Sequence, residues 1–350
     1  MKDEAFGNRI TDNALGADNG QKLIQSALSD IEQELGWQRE NQSPLFSGVY
    51  YDSQKVGSYI VRVGNQKGET AVLKLQLKPL PYDEGSIIRH VGALCGGPRI
   101  RLPVIYADKP WESARGYGYV LFEDLSVLPD LWMHDLSDRQ DRERHKNFLC
   151  LFFAEVLPME AWSPKPTIDL KEKAKETFEH FHEIALKSDH HHSEEEEIQR
   201  MVKRYFFHLD QADPEDLHFT HGHLSGKDVK VNQKDGSFTL LANLYWSWRP
   251  KYHEIVFPIW VDLMHIQDKN LSFSTFLERV DNWCDIWRED IFDHDPTRRK
   301  SFWLRLLERS MLTVMLDLGA SEWKEEERQE KQALLSCWQQ FFYWIEENKL

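Results

Sequence analysis

Apolar residues first recur at helical spacing between residues 21 and 35. Leu23, Ile24, Ala27, Leu28, Ile31 and Leu35 fall three or four positions apart, which predicts a helix with one buried face. From residue 48 to residue 77 the pattern becomes that of strands. Val49-Tyr50-Tyr51, residues 58–63 and residues 70–77 are separated by turn residues at Asp52-Ser53 and Gly64-Asn65. A helix is expected over 83–94, with Pro81 before it and the breaker Gly96-Gly97-Pro98 after it. Strands follow around Val104-Ile105-Tyr106 and over 117–123. Beyond Leu125, helical spacing dominates, near 138–157, 169–187, 194–209, 272–290, 298–318 and 322–348, punctuated by Pro164, Pro166 and Pro214. One hairpin interrupts it: residues 229–232, a Lys234-Asp235-Gly236 turn, then residues 237–244. Residues 1–20 are polar and rich in Gly, Asn and Asp, and read as a loose leader. The expectation is an α+β chain with a β-rich front, residues 21–125, and a larger helical back, residues 126–350, that carries the hairpin. No internal repeat is visible.

Composition narrows the classes. With 350 residues, 41% of them hydrophobic, the chain can bury a substantial core. Its formal net charge of -15 excludes a binder of nucleic-acid backbone, which needs a basic face, and suits a cationic or neutral small substrate. No apolar run approaches the roughly 20 residues that span a bilayer, and Met1-Lys2-Asp3-Glu4 does not open a signal peptide, so no membrane association is expected. Cys95, Cys150, Cys284 and Cys337 form no CxxC pair and read as reduced, buried thiols of a cytoplasmic protein. The run His190-His191-His192 could suggest a metal site, but three consecutive side chains point in different directions. A solvated helix start is preferred there, with Ser193 as N-cap and Glu194 to Glu197 in the first turn. The tryptophans at 246, 248, 260, 283, 287, 303, 323, 338 and 344 read as core packing.

Polar chemistry concentrates in His221-Gly222-His223-Leu224-Ser225-Gly226-Lys227-Asp228, which leads straight into the hairpin. Upstream, Lys74 lies in Ala71-Val72-Leu73-Lys74-Leu75, where a strand lysine ordinarily points to solvent. Ten residues on, Glu84 begins the expected helix, a place the helix dipole by itself favours for a carboxylate. No Gly-x-Ser-x-Gly elbow, His-Glu-x-x-His pair or Gly-x-x-x-x-Gly-Lys-Ser/Thr loop occurs.

In layout, this set resembles the small-molecule kinases of the aminoglycoside phosphotransferase and choline kinase type. Their catalytic loop reads His-Gly-Asp, four residues, Asn, then a strand and a metal-binding Asp. His221 and Gly222 match the opening pair, while His223 stands at the base position, Asp228 at the Asn position and Asn243 at the metal Asp position. The resemblance covers roughly residues 45–265 and implies a two-lobed, protein-kinase-like fold. It implies Lys74 on the α and β phosphates of ATP, Glu84 orienting it, and Glu123 and Leu125 in the hinge Leu121-Phe122-Glu123-Asp124-Leu125 that meets adenine through backbone groups. Asp228 and Asn243 become the Mg2+ positions, with -1 of charge across His223, Asp228 and Asn243 where the family carries -2. Downstream, Glu254 falls where the family has a structural Asp.

Three functions remain open. A degraded kinase, or pseudokinase, would bind nucleotide as a sensor or scaffold, with a protein partner. An active ATP-dependent phosphotransferase would use His223 as base and Asp228 as main Mg2+ ligand on a small-molecule substrate. An imidazole can accept a proton near neutral pH but brings no negative charge. A purely structural module would use no nucleotide.

Overall fold

The computed structural model describes residues 17–40, 44–49, 56–77, 79, 83–94, 98–132, 138–156, 169–212, 217–293 and 296–350. Most of the expected leader, Tyr50-Tyr51, Asp52-Ser53, Pro81, Cys95, Gly96-Gly97, Pro164, Pro166 and Pro214 lie outside these residues. In chain order the elements are α1 (Ala17–Leu35), β1 (Trp37–Arg39), β2 (Phe46–Val49), β3 (Val56–Asn65), β4 (Thr70–Gln76), α2 (Glu84–Leu94), β5 (Ile100–Arg101), β6 (Ile105–Glu112) and β7 (Tyr117–Glu123). There follow α3 (Arg139–Val156), α4 (Leu170–Leu186), α5 (Glu195–Asp210), β8 (Leu217–Thr220), β9 (Val229–Asn232), β10 (Ser237–Leu240), β11 (Ser247–Pro250), α6 (His253–Met264), α7 (Phe273–Ile286), α8 (Pro296–Leu312) and α9 (Arg328–Asn348).

The chain divides into two compact units, Met1–Pro129 with Lys230–Leu244, and Asp130–Val229 with Tyr245–Leu350. The hairpin chain, placed in the helical back by sequence, thus clusters with the β-rich unit. One reason is pairing: β10 lies parallel to β5, with Phe238 opposite Ile100, and the Phe238 N–H bonds the Arg99 carbonyl.

In the first unit, β1, β3, β4, β7 and β6 form an antiparallel sheet in that order, with β2 also on β3. Strand alternation sorts its faces. Ala71, Leu73 and Leu75 of β4 join Val61, Val63, Tyr119 and Leu121 in a core closed by Ile24, Ala27, Leu28 and Ile31 of α1. Lys74, between two of these inward residues, therefore takes the opposite face.

The second unit is mainly helical. α6 escaped the sequence reading because it has no polar face: every residue from Glu254 to Met264 is buried. A helix apolar all round carries no amphipathic period to detect. β8 and β11 pair antiparallel, with Thr220 opposite Ser247. All the singled-out tryptophans but Trp344 are buried, as core packing requires. Two sequence expectations need correction. Glu194, not Ser193, is the N-cap of α5, because the Ser193 hydroxyl donates to the Val314 carbonyl at 2.7 Å. Cys150 is exposed rather than buried, on the outer side of α3.

Candidate functional site

In the first unit, the site begins with the alternation that turns Lys74 away from the α1 core. Its Cα pairs with Ile60 on one side and Val120 on the other, so the stem is fixed by two strands. Glu84 opens α2 and is 5% exposed. Its Oε2 stands 2.6 Å from Lys74 Nζ, and its Oε1 accepts the Asn243 backbone N–H at 3.1 Å. One buried carboxylate thus ties β4, α2 and the turn after β10 together. A buried pair of this kind is a poor source of net stability but fixes position well, because either charge alone would be costly. Asn243 is 1% exposed, and its amide Nδ2 donates to the Leu240 carbonyl at 2.9 Å. The residue before it, Ala242, holds a positive φ of 56° to make the turn.

Two residues of the hinge segment lie in internal contacts. Glu123 Oε1 accepts the Val104 N–H at 3.0 Å and meets Arg101 Nη1 at 3.2 Å, while the Glu123 N–H donates to the Val104 carbonyl. Leu125 is buried and its carbonyl accepts from Leu128. Asp124 between them pairs with Arg62 at 2.7 Å. Burial pushes its carboxyl up, but the Ser126 hydrogen bonds and Arg62 outweigh this and leave it below the usual range.

In the second unit, the loop after β8 is built around Glu254. Its Oε1 accepts the Thr220 hydroxyl at 2.7 Å and also the Gly222 N–H. Burial raises the Glu254 carboxyl above its ordinary value, against the pull of those donors and of Arg249. Gly222 holds φ at +81°, and a Cβ there would meet the Arg249 guanidinium and stand 2.7 Å from the Tyr245 carbonyl. Only glycine suits both the conformation and the space. Its carbonyl accepts from His253 Nε2 at 3.3 Å. Burial first, then the Arg249 charge, holds the His253 imidazole well below its usual range. His221 is fully buried, edge-on to Trp246 at 5.2 Å between ring centres.

This scaffold aims His223. Its Nδ1 lies 2.9 Å from Asp228 Oδ2, and the ring stacks on Tyr245 at 4.6 Å and leans on Phe257 at 4.8 Å. The same Asp228 oxygen accepts the Ser225 hydroxyl at 2.5 Å and the Ser225 N–H at 3.3 Å. For Asp228, burial pulls upward, but His223 and then Ser225 pull down harder, so its carboxyl is held below the usual range. The Ser225-x-x-Asp228 spacing was a visible turn signal that would have predicted this closure. The ring contacts of Tyr245 and Phe257 carried no such signal.

Divalent metal fits poorly here. A hard cation takes oxygen ligands. At Asp228, Oδ2 already faces His223 and Ser225, which leaves Oδ1 alone for a cation, and the Asn243 side chain is buried with its amide on the Leu240 carbonyl. Among the described residues, no three His, Cys, Asp or Glu side chains cluster as a metal site. No described helix is long and apolar enough to cross a membrane.

No family model matches the sequence, and no curated protein matches it either. Among solved structures, a spectinomycin phosphotransferase in complex with ADP and spectinomycin is similar at a TM-score of 0.52. Its identity is 10%, over 92% of this chain and 98% of that one. An amicoumacin kinase in complex with AMP-PNP and Ca2+ is similar at a TM-score of 0.52, with 13% identity over 94% of this chain and 93% of that one. This chain therefore has the two-lobed, protein-kinase-like α+β fold that these two phosphotransferases share.

Proposed function

We propose that this protein is a nucleotide-binding pseudokinase, a degraded relative of the aminoglycoside-phosphotransferase-like kinases that acts as a sensor or scaffold. The observation that carries the reading is the Lys74–Glu84 pair at 2.6 Å. It holds a cationic ammonium in a fixed place, and a lysine so held can pair with nucleotide phosphates as a compact charge with three donors. The two positions that would bind metal in the resembled family are instead engaged internally, Asp228 by His223 and Ser225 and Asn243 by Leu240. This favours retention of nucleotide with loss of efficient transfer to a small molecule. The two similar structures were solved with ADP and AMP-PNP, which supports ATP as the nucleotide.

A thermal-shift titration with ATP, with and without Mg2+, tests it. Stabilisation follows the ratio of ligand to Kd, so ATP at about 100 times Kd should add roughly 2.7 kcal/mol. The shift should survive omission of Mg2+ and disappear in Lys74→Met. Absence of any shift at millimolar ATP would overturn the reading in favour of a nucleotide-free module.

The His223–Asp228 pair favours a second reading, an active small-molecule kinase with His223 as general base. A base whose ring is oriented by a carboxylate is a recurring catalytic arrangement. Here Asp228 would position the imidazole rather than act as main metal ligand. Multiple turnovers of ATP, abolished by His223→Ala, would establish it and remove the pseudokinase reading.

A further inference from the structure

Positive charge gathers at one place in the second unit, although the chain as a whole carries -15. Lys173 of α4, Arg249 of β11, and Arg305 and Arg309 of α8 supply it. Lys173 Nζ donates to the Trp248 carbonyl at 2.6 Å, beside Arg249 in the strand. The Arg249 guanidinium lies against Gly222, whose carbonyl accepts from His253 Nε2. Besides burial, the charges of Arg249, Arg309 and Arg305 all disfavour a proton on that His253 ring. Burial and then the Arg249 charge likewise lower the Lys173 ammonium from its usual range. Three of the four cations have an acceptor or an acid. Lys173 has the Trp248 carbonyl, and Arg305 Nη1 meets Glu308 Oε2 at 2.5 Å. Arg309 Nη2 meets Asp317 Oδ2 at 3.0 Å, with its guanidinium 3.6 Å from the centre of the Trp260 ring. Arg249 is the exception. Its Nε is buried without a hydrogen-bond partner, and no ion pair joins its guanidinium to an acid among the described residues. The acid whose charge bears most on it, Glu254, commits Oε1 to Thr220 and Gly222.

A guanidinium withdrawn from water among like charges is costly unless an anion answers it, and an orphaned buried donor marks a place where an ion can enter. The planar fork of arginine matches the paired oxygens of a carboxylate or phosphate. We propose that Arg249 anchors a binding site in the helical unit for a small molecule bearing an oxyanion, a carboxylate or a phosphate group. The charges of Lys173, Arg305 and Arg309 add to the attraction, since the acids that face them are already engaged: Glu308 by Arg305, Asp317 by Arg309 and Glu254 by Thr220 and Gly222. Arg249 Nε lies inside while the residue as a whole is half-buried, so an entering anion meets the two terminal nitrogens first. The sign of this ligand is opposite to the one that the net charge by itself suggests. All of these residues belong to the second unit, whereas Lys74 belongs to the first, so the inference does not depend on the nucleotide reading. It gives a sensor a ligand of its own in the helical unit.

The test is a titration of the full-length protein with sodium phosphate and, separately, sodium succinate, against sodium chloride at equal ionic strength. Thermal unfolding and calorimetric heats are both read. The expected result is saturable binding and stabilisation by phosphate or succinate that chloride does not reproduce. The anion that saturates at the lower concentration identifies the group as phosphate or carboxylate. Arg249→Gln should raise the apparent Kd by about tenfold or more, as loss of charge-assisted hydrogen bonds does. Arg249→Lys should recover only part of the affinity, because an ammonium lacks the fork. Arg299→Gln, at an exposed position of α8, should leave the response unchanged, which separates a site from diffuse attraction. If the response is lost in Lys74→Met and kept in Arg249→Gln, the anion sits in the first unit and the inference is overturned. It is equally overturned if Arg249→Gln lowers the unfolding midpoint but keeps the anion response, since Arg249 then serves Glu254 alone. The wild type is sufficient to refute it whether or not the variants fold: no saturable heat and no shift at tens of millimolar of either anion excludes the site.

Discussion

Replacing Glu84 by glutamine removes the carboxylate that pairs with Lys74. At 2.6 Å and an effective dielectric of about 20, the attraction is about 6 kcal/mol. Most of this is offset by taking both charges out of water, since the side chains are 14% and 7% exposed. The net effect of removing one partner is set by the charge left behind, typically about 3–5 kcal/mol for a buried pair. Glutamine keeps an oxygen for the Asn243 N–H, which recovers about 1 kcal/mol. Glu84→Gln should therefore destabilise by about 2–4 kcal/mol. In Lys74→Met with Glu84→Gln no charge is stranded, so the double variant should be more stable than the sum of the singles by about 1.5–3 kcal/mol. Urea unfolding, followed by circular dichroism and tryptophan fluorescence on the wild type, both singles and the double, gives the cycle. If Glu84→Gln unfolds within about 0.5 kcal/mol of wild type, or the two effects simply add, the pair does not hold β4 to α2 as described.

Two further predictions concern the second unit. Gly222→Ala must place a side chain at φ +81° against Arg249 and the Tyr245 carbonyl. The left-handed backbone and the overpacking together should cost about 2–5 kcal/mol, and an unfolding midpoint unchanged from wild type would refute the account of the loop. His145 is fully buried, and burial lowers its imidazole to about 3. The unfolded chain protonates this residue below about 6.5 while the folded chain does not, so its contribution is present above that value and falls on acidification. Wild type should thus lose about 1.2 kcal/mol more than His145→Gln between about pH 7 and 5.5 in parallel urea titrations, and equal losses would contradict a neutral buried ring.

Much of the fold was legible because its elements advertise themselves locally. The spacing of Leu23, Ile24, Ala27, Leu28 and Ile31 is that of a helix face whichever sheet it meets. The Lys234-Asp235-Gly236 turn marks a strand end by backbone preference alone, whereas Gly64-Asn65, read as a turn, are the last residues of β3, and the turn follows at 66–67. α6 was illegible for the opposite reason, since a helix buried on every side has no contrast between faces. The N-cap of α5 was misread at Ser193 because its hydroxyl had a distant competitor, the Val314 carbonyl 121 positions away.

The candidate site divides along the same line. Sequence order and residue type located the loop His221-Gly222-His223, the strand lysine and the helix carboxylate, since these depend on motif and spacing. They could not tell what the polar groups bond to. Asn243 and Glu84 are 159 positions apart and meet only because the β10 turn and the start of α2 pack together. Whether Asp228 stands free for a cation or accepts from His223 and Ser225 depends on side-chain torsions that the loop's tertiary contacts with Glu254, Tyr245 and Phe257 select. Sequence by itself determined most of the elements and the residue types at the candidate positions, because local backbone preference and apolar periodicity need no distant partner. Only the tertiary structure decided how those residues are engaged, because hydrogen bonds and desolvation are set by which distant segments close around them.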